Sequence, residues 1–149
     1  MDLRELYQEL IVDHSKQPRN FGSMTEFDYH AYGFNPLCGD KIRLYLKVDN
    51  DMITEVKFEG SGCAISTASA SMMTEMLRGQ TIAQAKELFE LFHSMVTGSL
   101  DPVGTSGKFG KLVVFAGVKS YPARVKCATL AWHTLSNALL RRHGAAKTE

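Results

Sequence analysis

Disulfide staples, long apolar runs and an excess of one charge are all missing from this 149-residue sequence. Three cysteines are too few, and the wrong parity, for the disulfide framework of a small secreted domain, which raises the weight of metal ligation and thiol reactivity. The longest apolar run, Leu112 to Val118, falls far short of the roughly 20 residues that span a bilayer, so no membrane role is expected. Formal net charge is +1, and apart from the pair Arg141-Arg142 the basic residues are scattered, which argues against nucleic acid as a partner. The stretch MDLRELYQEL places acidic residues inside an amphipathic pattern. It therefore resembles neither a secretion signal nor an acid-poor transit peptide, and the expected location is the cytoplasm.

What is present suits one soluble domain covering residues 1–149, with 44% hydrophobic residues and enough chain to bury a core without staples. Leu3, Leu6, Tyr7, Leu10 and Ile11 recur at helical spacing, with Asp2 and Glu5 as a capping box and Pro18 as a stop. A short edge strand is expected around Asp28 to Tyr32. From Lys41 the alternation is clean: Ile42, Leu44, Leu46 and Val48 face one way, Lys41, Arg43, Tyr45 and Lys47 the other. Asp49, Asn50 and Asp51 supply turn chemistry before Met52 to Glu59 alternates again, giving a hairpin with one wet face.

After Gly60-Ser61-Gly62 the period becomes helical in CAISTASASMMTEMLRG, whose first half is nearly all small side chains and predicts close packing. Thr81 and Gln84 open a third helix with Ile82, Ala85, Phe89 and Phe92 on one face, ending near Gly98. Ser99 to Gly110 reads as a loop, and Leu112 to Val118 fits either a short helix or a buried strand. A last helix follows Pro122 and runs to about His143-Gly144, with Val125, Thr129, Trp132, Leu135 (or Ser136) and Leu139 near one face. This order predicts an α+β fold, a small antiparallel β-sheet of about three strands with helices packed on one face.

The cysteines occupy segment edges. Cys38 lies in NPLCGD, one glycine away from Asp40; Cys63 follows a glycine and precedes a helix; Cys127 is in the opening turns of the last helix. A buried free cysteine is most often plain packing. Helix N-termini, however, favour the thiolate, and a thiolate beside a carboxylate calls for a cation. Cys38, Asp40, Cys63 and Cys127 make a four-donor set for tetrahedral zinc, yet no CxxC pair is present, so packing, reactive thiol and metal ligand all stay open on the residues alone.

NPLCGD, FEGSGCAISTASASMMTEM and YPARVKCATLAW resemble the three cysteine motifs of the U-type iron-sulfur cluster assembly proteins, and DHSKQPRNFG is similar to the end of their N-terminal helix. Within that family the chain resembles the SufU branch rather than the IscU branch. Lys126 stands where the IscU branch has a histidine before its third cysteine, and an insertion falls around Phe92 to Phe115. Tyr121 to Lys126 also does not reproduce the Leu-Pro-Pro-Val-Lys chaperone signal. The resemblance implies a SufE/NifU-like fold and zinc held by Cys38, Asp40, Cys63 and Cys127. It further implies that Cys38 accepts persulfide sulfur from a pyridoxal-phosphate cysteine desulfurase, with downstream iron-sulfur assembly proteins as recipients.

A zinc-dependent sulfurtransferase is thus the leading expectation. The alternative is a scaffold that assembles a [2Fe-2S] cluster on the same cysteines, since soft thiolates suit both occupants. A purely structural zinc module is disfavoured by the aspartate and the dispersed spacing. His14, His30, His93, His133 and His143 carry no ligand pattern, Met72, Met73 and Met76 read as core, and Lys126 reads first as a solvated charge, with stabilisation of a thiolate at Cys127 as the alternative role for it and for Arg124.

Overall fold

The alternation from Lys41 to Glu59 becomes the centre of the sheet. The computed structural model describes residues 3–98, 110–140 and 146–147. In chain order these form α1 (Leu3–Lys16), β1 (Tyr29–Asn35), β2 (Asp40–Asp49), β3 (Met52–Ser61), α2 (Ala64–Leu77), α3 (Ile82–Val96), a 3-10 helix (Gly110–Ser120), α4 (Pro122–Leu139) and β4 (Ala146–Lys147). Strands β2 and β3 are joined through Asn50 and Asp51, at φ 51° and 63°, the left-handed pair that a two-residue hairpin turn needs to match strand twist. β1 pairs antiparallel with β2 from Tyr29 opposite Leu46 to Asn35 opposite Asp40.

The sheet order is β3-β2-β1-β4, so a short parallel strand joins the three antiparallel ones. β1 is therefore longer than the expected edge strand and sits inside the sheet, with β4 opposite Gly33 and Phe34. Ile42, Leu44 and Leu46 are buried on the face that the helices cover, while Lys41, Arg43 and Lys47 face water. Tyr45, expected on the wet face, is also buried, because the rings of Phe27 and His30 stand over it at 5.4 and 5.2 Å. The expected Asp2-Glu5 capping box involves Asp2, which lies outside the described residues, as do the side chains of Leu3 and Leu6. Tyr7, Leu10 and Ile11 pack against the core as expected.

α4 is the hub. It touches β1, β2, β4, α2, α3 and the 3-10 helix, and it buries Cys127, Leu130, Trp132, Thr134, Leu135 and Ala138. The single apolar stripe expected for it is corrected accordingly: a helix surrounded on most sides is apolar nearly all round. It is described to Leu139, and His143 and Gly144 lie outside the described residues. The ambiguous stretch Leu112 to Val118 is helical, a 3-10 turn that sends Leu112, Val114, Phe115 and Val118 into the core. The expected loop from Ser99 to Gly110 lies outside the described residues apart from Gly110, which opens the 3-10 helix. The expected cap of α3 is present as a reciprocal pair between Thr81 and Gln84.

Small residues on α2 do what close packing requires. Ser69 Oγ donates to the Ala128 carbonyl at 2.6 Å and accepts from Trp132 Nε1 at 3.2 Å, and Trp132 stacks on Phe92 at 4.5 Å. Ser71 Oγ meets the buried His14 Nδ1 at 2.7 Å and accepts from the Arg19 amide at 2.8 Å, docking α1 and its exit. No helix among the described residues is long and apolar enough to cross a membrane.

Two consequences are measurable. A Cβ on Gly33 would overlap Thr134 Oγ1 and come 2.8 Å from Ile42 Cγ2, so Gly33→Ala is expected to lower stability by about 1–3 kcal/mol in urea unfolding; unchanged stability would contradict the close approach of α4 to β1. Burial, then the Arg19 charge, lowers the His14 pKa below its ordinary value of 6.5, against a weaker upward pull from Glu75. Above that value the imidazole is neutral in both states; below it the unfolded chain binds the proton first, so stability falls with pH until the folded-state pKa is passed. His14→Gln should flatten that part of the stability profile relative to the parent chain.

Candidate metal centre

NPLCGD folds as the turn between β1 and β2, closed by the Asn35-Asp40 pair. The Gly39 amide donates to the Asn35 carbonyl at 2.8 Å, and Gly39 has φ +72°, the left-handed backbone that brings Asp40 back into the sheet. The Leu37 amide donates to Asn35 Oδ1 at 3.2 Å. This turn leaves Cys38 exposed while Asp40, two residues on, is 1% exposed.

Cys63 is the N-cap of α2, its sulfur accepting from the Ser66 amide at 3.4 Å. Its own amide donates to Asp40 Oδ1 at 2.9 Å. Cys127 lies beyond the first turn of α4 and is buried. Donor atoms of Cys38, Asp40 and Cys127 all lie within 4.8 Å of one another. The Cys127 and Cys38 sulfurs are 3.5 Å apart, and Cys63 reaches the group through Asp40, its Sγ 4.0 Å from Oδ2.

These spacings can be set against a tetrahedral ion. Sulfurs about 2.3 Å from one zinc stand about 3.8 Å apart, and a sulfur and a carboxylate oxygen about 3.5 Å apart. The observed 3.5 Å between sulfurs and 4.0 Å from Cys63 to Asp40 are within a few tenths of an ångström of those values. Three sulfurs and one oxygen are also the chemistry that zinc accepts, so the donor types fit the group, with Cys63 Sγ standing outside the cluster in which Cys38, Asp40 and Cys127 lie within 4.8 Å of one another.

Electrostatics point the same way. Burial pushes the Cys127 thiol far above the ordinary range, and hydrogen bonding to Cys38 and Cys63 and the nearby negative charge push it further. The expected help from the α4 N-terminus fails because the helix field fades within the first turn, which ends before Cys127. Lys126 neighbours Cys127 along α4, and successive helical residues do not share a face. Arg124 lies over the Tyr121 ring at 4.6 Å. A cation placed among Cys38, Asp40 and Cys127 would supply the positive charge that a thiolate at Cys127 needs.

Of the other candidates, Met72 and Met73 are core and Met76 packs against it. His14 is the buried tie to Ser71, His30 belongs to an aromatic cluster, and His93 and His133 touch each other at 5.5 Å, so the described histidines are elsewhere engaged. His143 lies outside the described residues. Asn35 is the residue that sequence reasoning passed over: fully buried, it places Nδ2 3.2 Å from Asp40 Oδ2 and 3.7 Å from Cys127 Sγ. Its signal was a polar residue at a strand end beside two candidate ligands.

Residues 6–128 match the family model described as NifU-like N terminal domain. The zinc-dependent sulfurtransferase SufU of Bacillus subtilis (strain 168) is 41% identical over 143 residues, covering 96% of this chain and 95% of the relative. The iron-sulfur cluster assembly scaffold protein IscU of Streptococcus pyogenes serotype M1 is 40% identical, covering 96% and 88% respectively. A Fervidobacterium islandicum AW-1 structure described as a SUF-system iron-sulfur cluster assembly scaffold superposes with a TM-score of 0.83 at 39% identity, covering 93% of this chain and 99% of that one.

The burial difference predicts an order of reactivity. In metal-stripped protein at neutral pH, iodoacetamide should label the exposed Cys38 more than about tenfold faster than Cys127, read by mass spectrometry of timed samples. Equal rates would mean that Cys127 is not held in this buried, electronegative position.

Proposed function

The chain belongs to the NifU-like N-terminal domain family, and from that premise we propose that it is an iron-sulfur cluster biogenesis protein that binds zinc and accepts persulfide sulfur from a cysteine desulfurase. The observation that carries the reading is the convergence of Cys38, Asp40 and Cys127 within 4.8 Å, with Cys63 beside Asp40 and Cys38 exposed on a turn. The sulfurtransferase name of the Bacillus relative supports it.

Cys38, Asp40, Cys63 and Cys127 would hold the zinc. When bound, the ion supplies the positive charge that keeps the sulfurs deprotonated beside a carboxylate. Asp40 is held by the Cys63 amide, so its position does not depend on Cys38. Cys63 and Cys127 are fixed by their helices, which leaves Cys38 as the sulfur that can reach a partner. In the transfer, the Cys38 thiolate attacks the outer sulfur of the desulfurase persulfide. A bond forms between Cys38 Sγ and that sulfur, the partner's S–S bond breaks, and the partner cysteine leaves as a thiolate, with the terminal S–H carried across. The pyridoxal-phosphate enzyme supplies the persulfide, and downstream assembly proteins receive the sulfur.

The scaffold names of several relatives support a second reading, in which the three cysteines hold a [2Fe-2S] cluster. Anaerobic reconstitution followed by absorption and iron counting separates the two: a stable coloured cluster favours the scaffold.

Metal analysis of the purified protein should find about one zinc per chain. Sulfide release by a desulfurase from cysteine should rise when the protein is added, and Cys38→Ala should return it to the enzyme-alone rate. A Cys38→Ala protein that still accepts sulfur at full rate overturns the assignment of Cys38.

A further inference from the structure

Asn35 offers a metal no atom of its own in this arrangement, yet it is fully buried among the proposed ligands. A buried amide has two donors and an acceptor to satisfy, and its orientation follows from its partners. The Leu37 amide can only donate, so it fixes Oδ1 on the turn side. Nδ2 therefore faces Asp40 Oδ2 at 3.2 Å and Cys127 Sγ at 3.7 Å. An asparagine needed only for the turn would use its oxygen and leave the NH2 toward water. Here the NH2 is enclosed and shared between a carboxylate and a sulfur.

Through its backbone, Asn35 also accepts from Gly39, so one residue touches both ends of the turn that carries Cys38 and two of the remaining donors. Hydrogen bonds of this kind orient a carboxylate lone pair and draw charge from a thiolate, and their loss typically weakens metal binding 10- to 100-fold, on the order of the ligand shell's own tuning. We infer that Asn35 is a positioning residue of the metal centre, aiming Asp40 and Cys127 through one amide while its oxygen holds the Cys38 turn. The inference rests on the reading of that centre as a zinc site.

The test compares the full-length parent chain with Asn35→Ala and Asn35→Ser. Serine keeps a hydroxyl that can accept from the Leu37 amide but cannot reach Asp40 and Cys127 as a donor. Zinc competition with a chromophoric chelator should show both variants binding about 10- to 100-fold more weakly, and cobalt(II) substitution should show a displaced thiolate charge-transfer band. An Asn35→Ser protein with the parent's zinc affinity and cobalt spectrum overturns the inference and leaves Asn35 a turn residue. A parent chain that binds no zinc instead overturns the reading of the site, and the inference falls with it. One measurement needs no variant: in the parent protein loaded with cadmium-113, the Asn35 side-chain amide should show scalar coupling to the metal through the N–H···S bond, and an uncoupled amide counts against donation to Cys127.

Discussion

A carboxylate buried beside three sulfurs is the constraint around which this molecule is arranged. Asp40 is 1% exposed, and leaving an ionised carboxylate in such a place without a partner is costly. The chain supplies two neutral donors, the Cys63 amide on one oxygen and the Asn35 side chain on the other, which orient the group without neutralising it. Neither removes the repulsion toward the sulfurs. The four elements that meet here, the end of β1, the start of β2, the cap of α2 and the early turns of α4, therefore surround a location that a bound cation would neutralise.

Each cysteine rides a different kind of backbone, and that decides what each can do. Cys127 is locked in the hub helix, its neighbours Ala128 and Leu130 buried in the core. Cys63 is exposed but committed, since its sulfur caps α2 and its amide holds Asp40. Cys38 rides an exposed turn, its sulfur met by Cys127 Sγ at 3.5 Å. The opposition of two anchored sulfurs and one on a turn follows from secondary structure, and it matches the demands of a group that must keep a metal while presenting one nucleophile.

Much of this was legible in the residues. The β2-β3 hairpin, the small-residue helix and the Thr81 cap were readable, because alternation, turn chemistry and capping are local signals, whereas the grouping of Cys38, Asp40 and Cys127 was implied only by the family resemblance. What was hidden depended on partners distant in sequence. Nothing local to Pro122–Leu139 indicates that six elements surround it, and nothing near Tyr45 shows that Phe27 and His30 will cover it. Asn35 escaped for the same reason: its donors find Cys127 across most of the chain. The favourable field expected at Cys127 failed on a local count, since Pro122 opens the helix more than a turn earlier.

The distance between the two anchored sulfurs is a property of the core. Cys63 sits at the start of α2, and further along that helix Ser69 grips the carbonyl of Ala128, the residue next to Cys127, at 2.6 Å. At about 1.5 Å of rise per residue, this tie acts roughly 9 Å from Cys63 along a stiff rod. Trp132, donating to the same Ser69 oxygen and stacked on Phe92, keeps the rod from sliding. A larger residue at Ser69 would push α2 from α4 and separate sulfurs it never touches. The run of Ala, Ser and Thr in the second cysteine motif thus bears on the candidate site: small side chains set how closely α2 and α4 approach.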